Sequence, residues 1–553
     1  MILLVQGKKL RLMSDYHIVF AVVLGGDLVK STEHLGVGYL AAVVRNEGYT
    51  AFIKEVKSEK NFGEFTNFIK DNSIRLVGFT TTCINIKLVA DLSKEIKKGS
   101  PETTIVYGGH MATFSDEQIM KEIPYCDIII RGEGEVTIQE LVKSLEQKTD
   151  LSGIKGITYR RPSSEEIVKN EDRPLIEDLD KLPFPARDQF ENTRQQYMRL
   201  CSSRGCYGNC AYCSNFVGRK HKGQRWRGRS PENIVDEIEY LVNKYNFHTF
   251  DFVDSTFEDP PDGSGKSRIR RIANEIIDRN LNIFYNCCFR AENWKEQDHE
   301  LLDVLVKSGL EKINIGFEAG NNKSLKIFNK IATNEDNCTA LKVIEKHPQI
   351  YITFGFIFYH PYQDFKDLRD NADFLYNSKI GQVTRHYFWP LEVYPSTLIK
   401  KKLIADGLLK ESNIVDNIYS YNFLNPEVGV FARFMTKFLK EEIVWDFEIF
   451  DIIIHTYITR LLRKYEKNES AKAILYNFWD YVNQVRAGIA EQNYLFFIRW
   501  LDAAENGWSE EYVMKAKAFD LFNYLRQKKN EIKTEQLKVS LALKRIGLKL
   551  VGR

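Results

Sequence analysis

Three cysteines, Cys206, Cys210 and Cys213, stand at C-x3-C-x2-C spacing in the run Ser203-Arg204-Gly205-Cys206-Tyr207-Gly208-Asn209-Cys210-Ala211-Tyr212-Cys213. Thiolates are the ordinary ligands of iron–sulfur clusters, and a cubane cluster usually takes four of them. Three this close together hold three irons and leave the fourth open to another ligand. A structural zinc site wants four N or S ligands, typically as two C-x2-C units, and only one such unit occurs here. A disulfide staple suits a short secreted chain, not one of 553 residues that reads as having no secretory leader.

The surrounding sequence must present these thiols. Tyr197–Cys201 reads as a short strand running directly into the cysteine loop. Ser230 is a good N-cap and Pro231 suits the first position of the helix that follows. Strands are predicted at Thr249–Asp254, Ile283–Phe289, Lys312–Glu318, Tyr351–Phe358 and His386–Leu391, with helices between them. This repeat predicts a partial (β/α)6 barrel over residues 196–400, whose chemistry lies at the strand carboxyl ends. Those ends carry Asp254, Ser255, Arg290 and Glu318. Arginine pairs well with a ligand carboxylate, and Glu318 suits an ammonium group. Cys287 and Cys288, adjacent on one strand, point to opposite faces and read as packing residues.

Upstream, strands at Tyr16–Leu24, Tyr49–Lys54, Arg75–Thr80, Thr104–Tyr107 and Asp127–Ile130 alternate with helices. That order predicts an α/β, doubly wound parallel sheet in residues 1–150. Ligands of such sheets sit beyond the strand carboxyl ends. Here those ends carry Gly25-Gly26-Asp27, Thr80-Thr81-Thr82, Gly108-Gly109-His110 and Gly132-Glu133-Gly134. Glycines admit a large ligand close to the backbone, and threonines supply small donors and acceptors. On pattern alone, a regulatory domain whose turns merely need glycine is an equal reading.

The cysteine loop resembles the radical S-adenosylmethionine (AdoMet) superfamily. The turns Val77-Gly78-Phe79-Thr80, Tyr107-Gly108-Gly109-His110 and Arg131-Gly132-Glu133-Gly134-Glu135, with the helix beginning Leu35-Gly36-Val37-Gly38, resemble the cobalamin-binding domain that precedes many of those enzymes. Together the likeness covers about residues 16–400. It implies a [4Fe-4S] cluster on Cys206, Cys210 and Cys213, with AdoMet on the free iron as the source of a 5′-deoxyadenosyl radical. It implies cobalamin over Thr80, Thr81, Thr82, Gly108, Gly109, His110, Gly132, Glu133 and Gly134. Glu318 and Arg290 fall in the AdoMet pocket, with Tyr212 beside adenine, and an external electron donor of flavodoxin or ferredoxin type feeds the cluster; Asp254 and Ser255, at the same barrel rim, are further cofactor-binding candidates. The chain departs from the family in one respect. The D-x-H-x-x-G motif that supplies a histidine to cobalt is absent, since Asp27, His34 and Gly36 fail its spacing, so neither His34 nor His110 is assigned to the metal. Where the family often has glycine, Tyr359 stands before His360. These two are the candidates for substrate contact and proton handling.

The rest of the sequence sets limits. A net charge of +3 does not imply nucleic acid, and the basic run from Arg219 to Arg229 around Trp226 reads as a loop facing anionic cofactors. No run of about 18 apolar residues predicts a membrane span. Nine cysteines, an odd count, fit a reducing cytoplasm, and none follows Cys338 to hold a second cluster. Residues 151–195 read as a proline-punctuated linker in which Ile154–Arg160 adds a short strand, and residues 401–553 as a helical domain shaping the substrate site, with helices at Phe434–Phe450 and Ile452–Tyr465 and later runs from Ala471, Asn493, Ser509 and Glu531. The expected activity is methyl transfer to an unactivated carbon of a natural-product or peptide substrate. Ring formation, ring contraction or epimerisation on the same cofactors is an alternative, and a non-catalytic cobalamin or redox sensor another.

Overall fold

The computed structural model describes the chain except residues 1–3, 6–7, 10–13, 25–32, 162–163, 193–195, 215–225, 411–419, 508–510 and 549–553. The Gly25-Gly26-Asp27 turn and the basic residues Arg219–Lys222 lie outside the described residues. Among the described residues, no helix is long and apolar enough to cross a membrane.

The first sheet has strands β1 (Ser14–Val23), β2 (Tyr49–Val56), β3 (Ile74–Thr80), β4 (Thr104–Gly108), β5 (Ile128–Ile130), β6 (Ile157–Arg160) and β7 (Ile167–Lys169). Their order is β2-β1-β3-β4-β5-β6-β7. In β1 every residue from Ile18 to Val23 is buried. Val19, Ala21 and Val23 join one apolar cluster, while Ile18, Phe20 and Val22 join another. Helices cover both faces, so alternate side chains fill two cores. The first five strands pair in parallel. Their 2-1-3-4-5 order places a ligand crevice where the winding reverses, between β1 and β3.

The strand expected at Ile154–Arg160 and a second strand of the linker join this sheet. β6 and β7 extend it antiparallel to β5 and to each other. Arg131, at the end of β5, fixes them: its guanidinium donates to Thr158 Oγ1 at 2.5 Å and to the Asn170 carbonyl at 2.6 Å. Downstream, Ala186 N–H donates to the Gly38 carbonyl at 3.0 Å, pressing the rest of the connection onto the helix Leu35–Asn46.

The second sheet comprises β8 (Met198–Leu200), β11 (Thr249–Phe252), β12 (Phe284–Arg290), β13 (Leu310–Glu318) and β14 (Tyr351–Phe356), all parallel and in that order. A separate antiparallel ribbon, β9 (Ser203–Gly205) with β10 (Trp226–Gly228), brackets the cysteine loop. The sixth strand expected at His386–Leu391 is reduced to one parallel bridge between Tyr359 and Pro390. Proline has no N–H to extend the ladder, and Thr384–Phe388 coils as a 3-10 turn instead.

The tail forms helices at Pro426–Thr436, Glu442–Lys464, Glu469–Glu505 and Glu511–Arg545. The runs from Ala471 and Asn493 are one helix. The tail meets the barrel in two places: Leu403, Leu408 and Tyr421 pack with Ala211 and Tyr212 of the cysteine loop, and the helix Glu442–Lys464 packs at the opposite end. Asp451 accepts from Tyr351 Oη at 2.9 Å, Arg460 forks onto Glu311 at 2.6 and 2.8 Å, and His455 meets the Gln349 carbonyl. These partners mark the amino ends of β13 and β14, the end of the barrel away from its chemistry.

Candidate active site

The cysteine loop begins where β9 ends, at Gly205 with φ +92°. Cys206 Sγ accepts from Gly208 N–H at 3.2 Å. A Cβ placed on Gly208 would lie 3.2 Å from Cys206 Sγ, 3.7 Å from Cys210 Sγ and 3.8 Å from Arg290 Nη1. The loop folds tightly round this glycine. Ala211 N–H donates to the Phe328 carbonyl at 2.7 Å, Asn329 Nδ2 to the Asn209 carbonyl at 2.8 Å, and Tyr207 N–H to Asp259 at 3.0 Å. Among the described residues, no three or more His, Cys, Asp or Glu groups surround a single point as ligands of one ion would. Thiolates on a cubane instead stand apart, one per iron corner. Burial, then the Asp259 charge, pushes the Cys206 thiol up to about 11, against the pull of Arg290.

Two cations face this loop. Arg290 closes β12 and is buried, with Nε and Nη1 lacking hydrogen-bond partners. Its Nη2 donates to Asn293 at 3.2 Å and lies 3.6 Å from Asp259. Lys330, which the sequence reading missed, sits half-buried below it, and its ammonium makes no hydrogen bond or ion pair among the described residues. Burial pulls the Lys330 pKa down, but Cys210, Glu318 and Glu292 outweigh that and leave it raised. Glu318 ends β13 at φ +67°, a conformation rare outside glycine. Its carboxylate folds over Gly316 and Gly355, where Cβ atoms would lie 2.7 and 3.0 Å from its oxygens. Tyr212 stacks edge-on against Phe328 with ring centres 5.5 Å apart, and burial, then Glu318, raises its phenol pKa. Two cations, Arg290 with its Nη1 free of hydrogen bonds and Lys330, thus join the Glu318 carboxylate and the Tyr212 ring around the cysteine loop.

A cavity of about 550 Å³ separates this loop from the first sheet. Its walls carry Thr80, Gly108, Gly109, His110, Gly132 and Gly134 from one side, and Cys201, Cys213, Val253 and Ser255 from the other. At Gly132 (φ +72°) a Cβ would meet nothing within 4 Å, so the backbone lies bare to the cavity. The floor is apolar, with Phe20, Leu40, Val106 and Ile130.

Comparison with known proteins bears on both halves. Residues 21–142 match the B12 binding domain family, and residues 200–375 match the Radical SAM superfamily. The chain is a cobalamin-dependent radical SAM enzyme. An uncharacterized methyltransferase of Pyrococcus horikoshii is 27% identical over 447 residues, covering 78% of this chain and 94% of that protein. The anaerobic magnesium-protoporphyrin IX monomethyl ester cyclase of Rubrivivax gelatinosus is 27% identical over 336 residues, 58% of each chain. The solved structure of the cobalamin-dependent radical enzyme OxsB, with aqua-cobalamin and S-adenosylmethionine bound, shares the fold at TM-score 0.66 and 18% identity over 97% of this chain and 82% of its own.

The cofactors of such an enzyme are cobalamin, AdoMet and a [4Fe-4S] cluster, and the residues present fit them. Arg290 Nη1, which has no hydrogen-bond partner, lies beside the cysteine loop, where cluster and AdoMet carboxylate would both carry negative charge, while its Nε pairs with Glu292 at 3.4 Å. The cavity gives cobalamin bare glycine backbone above an apolar floor. His34 is excluded as a cobalt ligand by its hydrogen bonds. Its Nδ1 accepts from Val37 N–H at 3.3 Å as a helix N-cap, so the proton sits on Nε2, which meets Thr80 Oγ1 at 3.1 Å. Burial, then Arg199, lowers its pKa to about 4, keeping it neutral. His110 is exposed at the cavity wall, stacked on Phe114.

Several expected site residues serve the scaffold instead. Tyr359 and His360 are fully buried in the barrel wall and do not reach the cavity. Tyr359 Oη donates to the Tyr387 carbonyl at 2.8 Å. His360 Nδ1 accepts from Tyr362 N–H and its Nε2 meets Ser324 Oγ at 2.9 Å, while burial, then Lys323, lowers its pKa to about 3. Bulk and polarity suggested a pocket pair, but the bridge at Pro390 turns both inward. Thr81 is buried and donates to the Gly108 carbonyl, so it braces the turn. Thr82 is spent on its own turn, its N–H donating to Asn85 and its Oγ1 accepting from Ile84 N–H. Asp254 is buried and accepts from Ser202 Oγ and from the Ser202 and Ser203 amides, tying β11 to the start of the cysteine loop. Glu133 lines the cavity, but arginines occupy its carboxylate. The two described arginines of the basic run are paired as well, Arg227 with Glu133 and Arg229 with Glu237.

Proposed function

We propose that this enzyme transfers a methyl group to an unactivated carbon of a small natural-product or peptide substrate. One observation carries the reading: Cys213 of the cluster loop and the Gly108–His110 turn line opposite walls of one cavity, so a substrate between them would meet both cofactors. The likeness to the Pyrococcus methyltransferase supports it. Bound there, the cluster with AdoMet supplies hydrogen-atom abstraction and cobalamin supplies the methyl group, while the protein binds and orients.

The roles of the chain's own groups follow from their chemistry. Glu318 takes the AdoMet ammonium, Arg290 and Lys330 its carboxylate, and Tyr212 flanks adenine. Thr80, Gly108, Gly109, His110, Gly132 and Gly134 hold cobalamin through backbone and small polar contacts, and Ser255 faces the substrate space. Residues 1–150 and 196–400 are the two cofactor domains. The electron comes from a flavodoxin- or ferredoxin-type donor, in the reducing cytoplasm that the thiols require.

A second reading, radical ring formation on the same cofactors, is favoured by the likeness to the cyclase. Product stoichiometry separates the two. Each methylated product is expected to leave one S-adenosylhomocysteine and one 5′-deoxyadenosine, measured by mass spectrometry in the anaerobically reconstituted enzyme. Turnover that releases 5′-deoxyadenosine without S-adenosylhomocysteine overturns methyl transfer and favours the ring-forming chemistry.

A further inference from the structure

Two arginines face one another where the cysteine loop is closed. In the ribbon, Arg204 of β9 is the register partner of Arg227 of β10. Like charges directly opposite on an antiparallel pair destabilise it, and here both are largely out of water, with side-chain exposures of 18% and 5%. Nothing within the ribbon offsets this. The compensating charge comes from the other domain.

Glu133, on the turn after β5, reaches across the cavity. Arg227 forks onto its carboxylate, with Nη1 and Nη2 each at 2.9 Å, and Arg204 Nη1 adds a third bond at 3.2 Å. Ile176 N–H donates a fourth at 2.8 Å. A carboxylate offers about four lone-pair sites, so Glu133 has none left for a corrin amide. Arg204 Nη2 also binds Glu135 at 2.5 Å, whereas Arg227 spends its other contact on the Ile176 carbonyl. Among the described residues, Glu133 is therefore the one carboxylate that both facing arginines share.

The ribbon matters because of what it closes. Gly205, the last residue of β9, precedes Cys206, and Trp226, the first of β10, receives the chain after the loop; the two are register partners. Whatever holds the ribbon shut holds the ends of the cysteine loop together. We propose that Glu133 is a positioning residue for the cluster loop, neutralising Arg204 and Arg227 so that the ribbon closes and the three cysteines stand ready for the cluster, and that it is not a contact to cobalamin. The proposal rests on the reading that Cys206, Cys210 and Cys213 hold a cluster. It also couples the two cofactor centres, since Glu133, Arg204, Arg227 and Cys213 all line the same cavity, and coupling between sites is reciprocal.

The test uses the full-length chain reconstituted anaerobically with iron and sulfide, as wild type, E133Q, R227Q and E133Q/R227Q. Iron and sulfide content, the electron paramagnetic resonance spectrum of the reduced cluster, and 5′-deoxyadenosine formed from AdoMet under dithionite are measured, with hydroxocobalamin affinity from visible absorbance. E133Q, which keeps shape but loses charge, is expected to hold less than about a third of the wild-type cluster and to form 5′-deoxyadenosine at least about tenfold more slowly. Removing the second partner should repair the first loss: E133Q/R227Q is expected to return within about threefold of wild type, because Arg204, still paired with Glu135, then faces no like charge. A merely structural role for Glu133 predicts no such rescue. E133Q that loads and cleaves like wild type, or that loses hydroxocobalamin affinity at least about tenfold with its cluster intact, overturns the proposal, as does a double variant no better than E133Q. A wild-type chain that takes up no cluster overturns the reading beneath it, a distinguishable result.

Discussion

Glu258 is a carboxyl group held in the wall behind the cluster loop with no water to solvate its charge. It is 1% exposed and accepts from Arg290 N–H at 2.8 Å, Asn293 Nδ2 at 2.9 Å and Thr256 Oγ1 at 2.9 Å. Burial outweighs these bonds and pushes its pKa up to about 7. Between the ordinary carboxyl value and about 7, the folded chain keeps a proton that the unfolded chain has lost. Stability therefore falls as pH rises through that window and levels off above it. The loss is on the order of 3 kcal/mol. Glu258→Gln should abolish this slope: between about pH 5 and about pH 8, urea midpoints of the metal-free chain should drop for wild type and stay flatter for the variant. Parallel midpoints would show that the carboxyl is already ionised in the fold. At this scale the sequence was legible where spacing alone sufficed, as with the three cysteines. Lys330 was not, because nothing near it in sequence marks the cysteine loop it faces. Tyr359 and His360 misled because the identity of a side chain does not reveal the direction in which a failed strand turns it.

The barrel strands were legible from their runs of β-branched and aromatic residues, and β13 and β14 came out within two residues of expectation. What the sequence could not supply was the meaning of their glycines. A glycine taken singly only weakens a strand. Paired across the sheet, Gly316 and Gly355 form the floor under the Glu318 carboxylate, and a Cβ on Gly355 would lie 3.0 and 3.1 Å from its two oxygens. Such a contact moves the carboxylate by a few tenths of an ångström without displacing backbone. Gly355→Ala should therefore fold normally but bind AdoMet at least about tenfold more weakly, roughly 1.4 kcal/mol, when titrated into the cluster-loaded chain. Unchanged affinity would remove Glu318 from the AdoMet site. The ribbon β9–β10 escaped sequence reading for a related reason. Its strands are three residues each, lie on opposite sides of the cysteine loop, and depend on a carboxylate from another sheet.

Across the whole molecule, the two sheets turn their strand carboxyl ends toward one cavity, and the tail helix Glu442–Lys464 braces the barrel from the other end. The Glu33–Arg187–Glu237–Arg229 chain, with contacts of 2.7, 2.7 and 2.5 Å, joins the domains without lining the substrate space. The apolar spacing of the tail reads as a helical domain shaping the substrate site. The bidentate bond between Arg460 and Glu311 places the helix Glu442–Lys464 under the barrel, while Leu403, Leu408 and Tyr421 pack with Ala211 and Tyr212 of the cysteine loop. Glu311 is 5% exposed in its side chain, so removing its partner leaves a buried, uncompensated charge, which costs about 3–5 kcal/mol. Arg460→Ala should lower the melting temperature of the reconstituted enzyme accordingly, while AdoMet affinity, read from the change in the cluster's electron paramagnetic resonance spectrum, stays within about twofold of wild type. A brace at the amino ends of the strands changes how much enzyme is folded, not how the folded site binds. If Arg460→Ala instead weakens AdoMet binding in protein that remains fully folded, strain at the amino ends is transmitted along β13 to Glu318, and the tail belongs to the active site after all.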